Sequence, residues 1–514
     1  MASEDGTRAD VVDVPPDADA PSATLLAIRN ALKLGGSLLL TWGIALGIRL
    51  LVPRYLGPVR FGTLNFADGF SSAAFVVLAL GVDQYVRKEV AVRPAHASDF
   101  FGGVFAIRTV MTLFVFAGMA AVMARTGRSA EVSTLVFIYG AAQYFVIANA
   151  TLSAVLHAKG NVGAMSVLAV VTKVVWAAGL LAAMATGAGL WAYGASFFAS
   201  EFIETFVLYA LARKHLGLRF RVDYSGTKAM LLASMPYYLQ GFAANAYGKL
   251  DVSLLEFTGN TREVGFYGAA SALSSLTLLI TPLIGWVLTP MLARAAARSR
   301  PELVEQTRRS LELILTVAIP ASMMINLGAE FWIHLVFGEA FMPAVLALRI
   351  QATMFVLTYV AIIYYLVLIM LERQWVLTLI LFAGLVANVA LNLVLIRPSL
   401  AHFGPGGGGA GCAIAMLGTE IVVTSLMMAV VGRDAFDGRS VSTIAKSLAA
   451  FGVVILLHRL LAFLGPVRLV VDAAVYLVIV ISTGALRLQE MFAVVRQAIK
   501  NRSQRGGAEA GGGT

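Results

Sequence analysis

Apolar residues run along this chain in blocks of roughly twenty, separated by short segments that carry charge, glycine or proline. A block of about 18 apolar residues is long enough for a helix to cross a bilayer core. The pattern predicts fourteen spans, at 31–52, 64–82, 101–124, 132–155, 162–184, 189–211, 231–257, 266–292, 309–328, 344–369, 375–396, 409–431, 447–464 and 469–486. Backbone N–H and C=O groups must be satisfied internally in hydrocarbon, so each span is expected to be helical. The fold class implied is an all-α polytopic membrane protein.

Composition agrees with that pattern. Hydrophobic residues make up 59% of the chain and charged residues 13%. A soluble protein carries about 25% charged residues, so this chain cannot cover a globular surface with charge. One cysteine, Cys412, excludes an internal disulfide and a cysteine-built metal site. The first 20 residues hold Asp10, Asp13, Asp17 and Asp19 among proline and alanine. That is the composition of a disordered tail and the reverse of a basic signal-peptide start.

The net charge of +10 would suggest nucleic acid in a soluble protein. Here its distribution between loops explains it, and no nucleic-acid partner is expected. With both termini on one side, that side holds 26 of the 39 Lys and Arg residues. The other side holds seven: Arg54, Arg60, Arg125, Arg128, Arg262, Arg397 and Arg468. Cytoplasmic loops carry the excess of basic residues, so both termini are expected in the cytoplasm.

A faint internal repeat is visible. "GLWAYGASFFASE" (189–201) opens the sixth span and "GGAGCAIAMLGTE" (408–420) the twelfth; "LGPVRFG" (56–62) follows the first and "TGNTREVG" (258–265) the seventh. Six spans separate the copies, so both halves insert the same way up. That predicts two parallel six-helix lobes, residues 26–215 and 231–432, with a site between them. A cytoplasmic tail (1–25), an inter-lobe linker (216–230), two additional helices (446–486) and a basic cytoplasmic tail (487–514) complete the chain. Within that tail "LRLQEMFAVVRQAIK" (486–500) has the pattern of an interfacial helix.

"REVGFYGAASALSSLTLLITPLIGWVLTPMLAR" (262–294), "FWIHLVFGEAFMPAVLALRI" (331–350), "NLVLIRPSLAHFGPGGGGAGCAIAMLGTE" (392–420) and "RYLGPVRFGTLNFA" (54–67) together resemble the polysaccharide flippases of the Wzx type. These belong to the multidrug/oligosaccharidyl-lipid/polysaccharide exporter superfamily. The resemblance implies fourteen helices in two lobes, alternating access and no cofactor. It implies a glycan on an isoprenoid diphosphate, turned over from the inner to the outer leaflet of a bacterial plasma membrane. Membrane lipid, a glycan polymerase and glycosyltransferases are its implied partners.

Charges inside the spans are the candidate chemistry, because each costs about 2.5–3.5 kcal/mol at mid-bilayer on insertion scales. Lys173 and Lys249 lead a set of cavity cations that also includes Arg49, Arg108 and Arg349. Such groups would hold a diphosphate by charge-assisted hydrogen bonds. The bland alternatives are snorkelling for Arg49, Arg349 and Arg459, and a structural pair of Lys173 with a buried acid such as Asp68. In "YGKLDVSLLEF" (247–257) Lys249 and Glu256 share a helix face and Asp251 turns away from it. Asp68, Asp251, Glu201 and Glu420 are candidates for ion coupling or structural pairing. "MPYYLQG" (235–241) and "TPLIGW" (281–286) are expected to interrupt spans seven and eight.

Other features fall away. "DAD" (17–19) lies in the tail, "GPGGGG" (404–409) lacks a βαβ context, and the six histidines have no ligand spacing. Two further functions compete with a flippase. A cation-coupled multidrug exporter would favour acids and aromatics in its cavity and twelve spans. A membrane-embedded glycan polymerase or ligase would need an acid–base constellation on a sizeable outer loop, where 329–343 offers only Glu330, His334 and Glu339.

Overall fold

The computed structural model describes residues 23–81, 97–158, 162–281, 284, 288–432 and 438–483. The acidic tail, its DAD triplet and the interfacial segment 486–500 lie outside these residues. Fifteen α-helices and no strand occur among the described residues. They are α1 Ala23–Phe75, α2 Ala97–Arg125, α3 Ala130–Ala158, α4 Val162–Ala185, α5 Leu190–Leu216 and α6 Tyr224–Thr258. Then come α7 Thr261–Ser274, α8 Thr289–Arg298, α9 Arg300–Leu327, α10 Ala329–Phe337 and α11 Val345–Met370. The last are α12 Gln374–Phe403, α13 Gly407–Val431, α14 Gly438–Leu460 and α15 Arg468–Ser482.

Ten helical stretches among the described residues are long and apolar enough to cross a membrane. Four local features account for the difference from fourteen. The first two spans are fused in α1, and α6 is too polar along its length. The eighth span is divided between α7, a 3-10 segment Ser275–Ile280 and α8, and the described side chains of α14 give a shorter apolar stretch, Ala449–Leu460.

Gly57 explains the fusion in α1. Its φ of 72° and ψ of 171° break the helix without a loop. Pro58 disfavours a helical residue before it, and a positive φ is cheap only for glycine. By contrast Pro236 does not interrupt α6, which runs through it unbroken. The break expected in the eighth span does occur, at Ser275–Ile280, although most of "TPLIGW" lies outside the described residues. Asp223 starts α6 by accepting from the N–H groups of Ser225 and Gly226 at 3.0 and 3.1 Å. The segment expected as a linker to residue 230 is therefore helical from Tyr224.

Packing divides the helices into two bundles. In the first, α1 packs on α3 and α4, and α5 on α3 and α4. In the second, α13 packs on α11 and α12, α6 on α12, and α9 on α11, with α14 and α15 against α9. At one end, called here the sealed end, a single core joins both bundles: Val52, Phe61 and Phe66 of α1 share it with Leu255, Phe266 and Phe341. Away from that end the cores are separate. One gathers Val104, Leu152 and Leu208 with Met230 of α6; the other holds Leu292, Leu315, Tyr364 and Leu377.

A folded cap covers the sealed end. It consists of α10 and a 3-10 segment, Glu339–Ala344. Phe341 stands edge-on to Phe61 and Phe266, one ring from each bundle. Arg54 donates to the Leu335 carbonyl at 3.1 Å. The glycine run sits beneath this cap. Glu263 accepts from the N–H groups of Gly406 (2.7 Å) and Gly409 (3.1 Å) at the start of α13. A carboxylate there satisfies orphan donors and meets the positive end of the helix dipole.

Candidate functional site

The seam between the bundles is built from small residues on α1, α6 and α7. A Cβ on Gly62 would collide with the Thr261 carbonyl, and one on Gly268 with the Asn65 amide. On Gly69 a Cβ would lie 2.9 Å from Val252 Cγ1. Apolar helices associate in lipid through such close backbone approach, since lipid offers the same apolar contact as a neighbouring side chain.

Along α6, Lys249, Val252 and Glu256 occupy one face, three and four residues apart. Val252 meets Gly69 of the first bundle, and Glu256 pairs with Arg128 between α2 and α3. One turn nearer the other end the contact lapses, and it resumes where Gly81 of the first bundle packs against the backbone of Tyr237 and Tyr238. A Cβ on Gly241 or Gly248 would meet nothing within 4 Å, and Asn245 and Lys249 are exposed. Lys249 makes no ion pair among the described residues. It therefore stands at an exposed break in the contact between α6 and the first bundle, on the face that points at that bundle. Asp68, half-buried, and Ser72 flank Gly69 on the opposing wall, and Gln143 donates to them at 3.4 and 2.8 Å.

Asp251 points the other way, into the second bundle, and is buried. Its carboxylate accepts from Tyr267 OH (3.1 Å) and Asn392 Nδ2 (2.9 Å). Asn388 and Asn392, both fully buried on α12, leave their Oδ1 atoms without a hydrogen bond among the described residues. No Lys or Arg pairs with Asp251 among those residues. The buried carboxylate is thus held by hydrogen-bond donors in place of a counter-ion, with two unpartnered amide oxygens on the same residues of α12 that flank it.

Lys173 lies elsewhere, inside the first bundle. Its Nζ is 5.5 Å from the Trp176 ring centroid, and it acts electrostatically on Glu201 and Glu204. Glu204 accepts from Thr172 at 3.1 Å and Glu201 from Asn149 at 3.1 Å. The acids beside Lys173 are thus on α5, and the expected partner Asp68 is replaced by them. The structure does not bring Lys173 together with Lys249.

Arg108 is buried within the first bundle. Its guanidinium donates to the carbonyls of Leu78 and Ala79 at 2.8 Å each, and to the Ile147 carbonyl and Thr151 hydroxyl. These bonds clamp the end of the second span to α3. Arg349 is ion-paired with Glu330 of the cap at 2.9 Å, and Arg49 is exposed on α1. Glu420 is buried, hydrogen-bonded with Thr358. It repeats in the second bundle the relation of Glu201 to Asn149, an acid of one span held by the span two before it.

Sequence reasoning missed Arg128, Gln143, Glu263 and the asparagine pair. Only the last left a readable trace: two asparagines four residues apart on the otherwise apolar "ANVALNLVLI" (387–396).

The chain matches the family model described as "Polysaccharide biosynthesis protein" over residues 27–296. No curated protein matches it. Among solved structures it is similar to the lipid II flippase MurJ in an inward closed conformation, with a TM-score of 0.59 at 13% identity. That likeness covers 85% of this chain and 98% of the other. An outward-facing multidrug resistance MATE family transporter of the MOP superfamily gives a TM-score of 0.51 at 14% identity, over 80% of this chain and 95% of that one. At these identities the likeness is one of fold. The family match spans more than half of the 514 residues, and the chain belongs to the polysaccharide biosynthesis protein family.

Proposed function

We propose that this protein is a transporter that flips a lipid-diphosphate-linked oligosaccharide from the inner to the outer leaflet of the plasma membrane by alternating access. The observation that carries the reading is Lys249: an exposed cation without a counter-ion among the described residues, at the break in contact between α6 and the first bundle. A diphosphate is the complementary group, and low dielectric around the site strengthens the attraction. The lobes are residues 26–215 and 231–432, and the loop charges put the sealed end on the outer side. The glycan would occupy the gap while its lipid tail remains in the bilayer.

A coupling proton or cation would be held by Asp251 with Asn388, Asn392 and Tyr267, on the back of the helix that presents Lys249. Occupancy on one face of α6 could then bias the position of the other. Lys173 with Glu201 and Glu204 is a second polar centre in the first lobe, available to the same role or to packing alone.

The test is reconstitution in liposomes with a fluorescent isoprenoid-diphosphate-linked disaccharide in the donor leaflet. Outward movement is expected for the wild type and its loss for Lys249→Gln. A wild-type protein that moves cationic dyes and leaves the sugar lipid in place would make it a multidrug exporter instead.

A further inference from the structure

Arg128 is fixed to the first bundle by the turn that ends α2. Gly127 adopts φ +60°, and the Arg128 N–H returns to the Met123 carbonyl at 3.3 Å, a Schellman-type closure. Its side chain then leaves that bundle and crosses the seam. Nη1 pairs with Glu256 Oε1 on α6, and the same oxygen accepts from Thr261 Oγ1 at 2.8 Å. The guanidinium lies between Phe66 of α1 and Phe257 of α6, 5.2 and 5.4 Å from their centroids. Glu256 is 2% exposed at its side chain and Arg128 21%, so the pair is largely withdrawn from solvent.

Two features make this more than a strut. The guanidinium uses one of its five donors in the pair, and Nε and Nη2 make no hydrogen bond among the described residues. Glu256 Oε2 is likewise buried without one. Parting of the bundles at this end would also divide the pair by lineage. Arg128 would stay with Phe66 on one wall and Glu256 would leave with α6. A desolvated charge stripped of its partner is costly, so an anion that replaces Glu256 would favour the opened state. Two oxygens of a phosphate can meet the arginine fork in the same bidentate way as the two oxygens of a carboxylate.

We propose that Arg128 is a second anion-binding group of the transport path, latched by Glu256 while the seam is closed and passed to the cargo's diphosphate as it opens. This rests on the transporter reading above. Lys249 receives the anion on the near side of the seam, and Arg128, held at Glu256 two helical turns further along the same α6 face, receives it on the far side.

Two readouts in the same right-side-out vesicles test this. A cysteine at Val252→Cys, half-buried against Gly69, reports opening through a rise in labelling by a membrane-impermeant maleimide, with the buried Cys412 as background. Flipping of the labelled disaccharide lipid reports transport. Arg128→Gln and Glu256→Gln should each raise labelling about tenfold, and the swap R128E/E256R should bring it back. Flipping should fall about tenfold or more in Arg128→Gln and in the swap, and far less in Glu256→Gln. A swap that regains flipping along with closure overturns the anion role and leaves a latch alone. Unchanged labelling in both single variants overturns the latch. Wild-type vesicles that flip nothing overturn the transporter reading and the anion role with it, while labelling still reports the seam.

Discussion

Gly62 and Gly265 oppose one another across the seam in a reciprocal contact. A Cβ on Gly62 would strike the Thr261 carbonyl, and a Cβ on Gly265 would strike the Pro58 carbonyl. The two glycines are 203 positions apart, and the same offset relates Ser71 to Ser274 and Asp68 to Ser271. Gln143 donates to Asp68 in the first bundle, and Gln351 donates to Ser271 at 3.0 Å in the second. A glutamine of a neighbouring helix thus holds a polar side chain of the same helix as the seam glycine in each bundle.

Gly265→Ala should therefore loosen the seam. The added methyl meets backbone, which cannot rotate away, and overpacking of this kind costs about 1–3 kcal/mol. Thermal unfolding in detergent and maleimide labelling at Val252→Cys would both register it. Gly118→Ala is the control, because a Cβ there meets nothing within 4 Å. Equal effects from both substitutions would contradict the contact.

Arg108→Met should destabilise the fold and leave flipping per folded molecule near the wild-type rate. Its removal leaves the Leu78 and Ala79 carbonyls without their donor, at a cost of about 1–3 kcal/mol. A lowered melting temperature with intact transport is the expected pair of results. A stable but inactive variant would return Arg108 to the transport site.

Lys249→Gln should behave in the opposite way. An exposed side chain without partners contributes little to stability, within about 0.5 kcal/mol. Flipping of a diphosphate-linked lipid should nonetheless fall about tenfold, the loss of one charge-assisted hydrogen bond. Lys249→Arg should retain much of the activity. Full activity in Lys249→Gln would remove the residue from the site.

Asp251→Asn keeps the shape of the side chain and removes its charge. The expected outcome is a folded protein whose flipping no longer responds to an imposed proton or sodium gradient. A gradient response equal to wild type would show that coupling lies elsewhere, with Glu201 and Glu204 the next residues to examine.

Glu263→Gln should weaken the anchorage of the glycine run by about 1–2 kcal/mol, because two N–H groups lose an ionised acceptor. The start of α13 and the cap above it would exchange amide hydrogen faster. Unaltered exchange at Gly406 to Gly409 would show that the loop is held by packing alone.

The helical spans were legible because a bilayer imposes a length and a polarity on any chain that crosses it. The seam was partly legible through "LGPVRFG" and "TGNTREVG", whose glycines betray a place where backbone must come close. Side-chain partners were not. Lys173 lies beside Glu201 and Glu204, 28 and 31 positions away, and Arg128 finds Glu256 at a separation of 128. Periodicity says which face of a helix a charge occupies, and nothing about which helix stands opposite. The asparagines at 388 and 392 marked a face in the same silent manner.

From its sequence alone this protein was bound to be a bundle of membrane helices with charges inside its seventh span, because hydrophobic length and residue type are properties of the chain itself. Only the tertiary structure decided that Arg108 is a clamp, that Lys249 faces the gap, and that Arg128 crosses the seam to Glu256. Those outcomes depend on contacts between segments far apart in sequence, and such contacts exist only once the helices have packed.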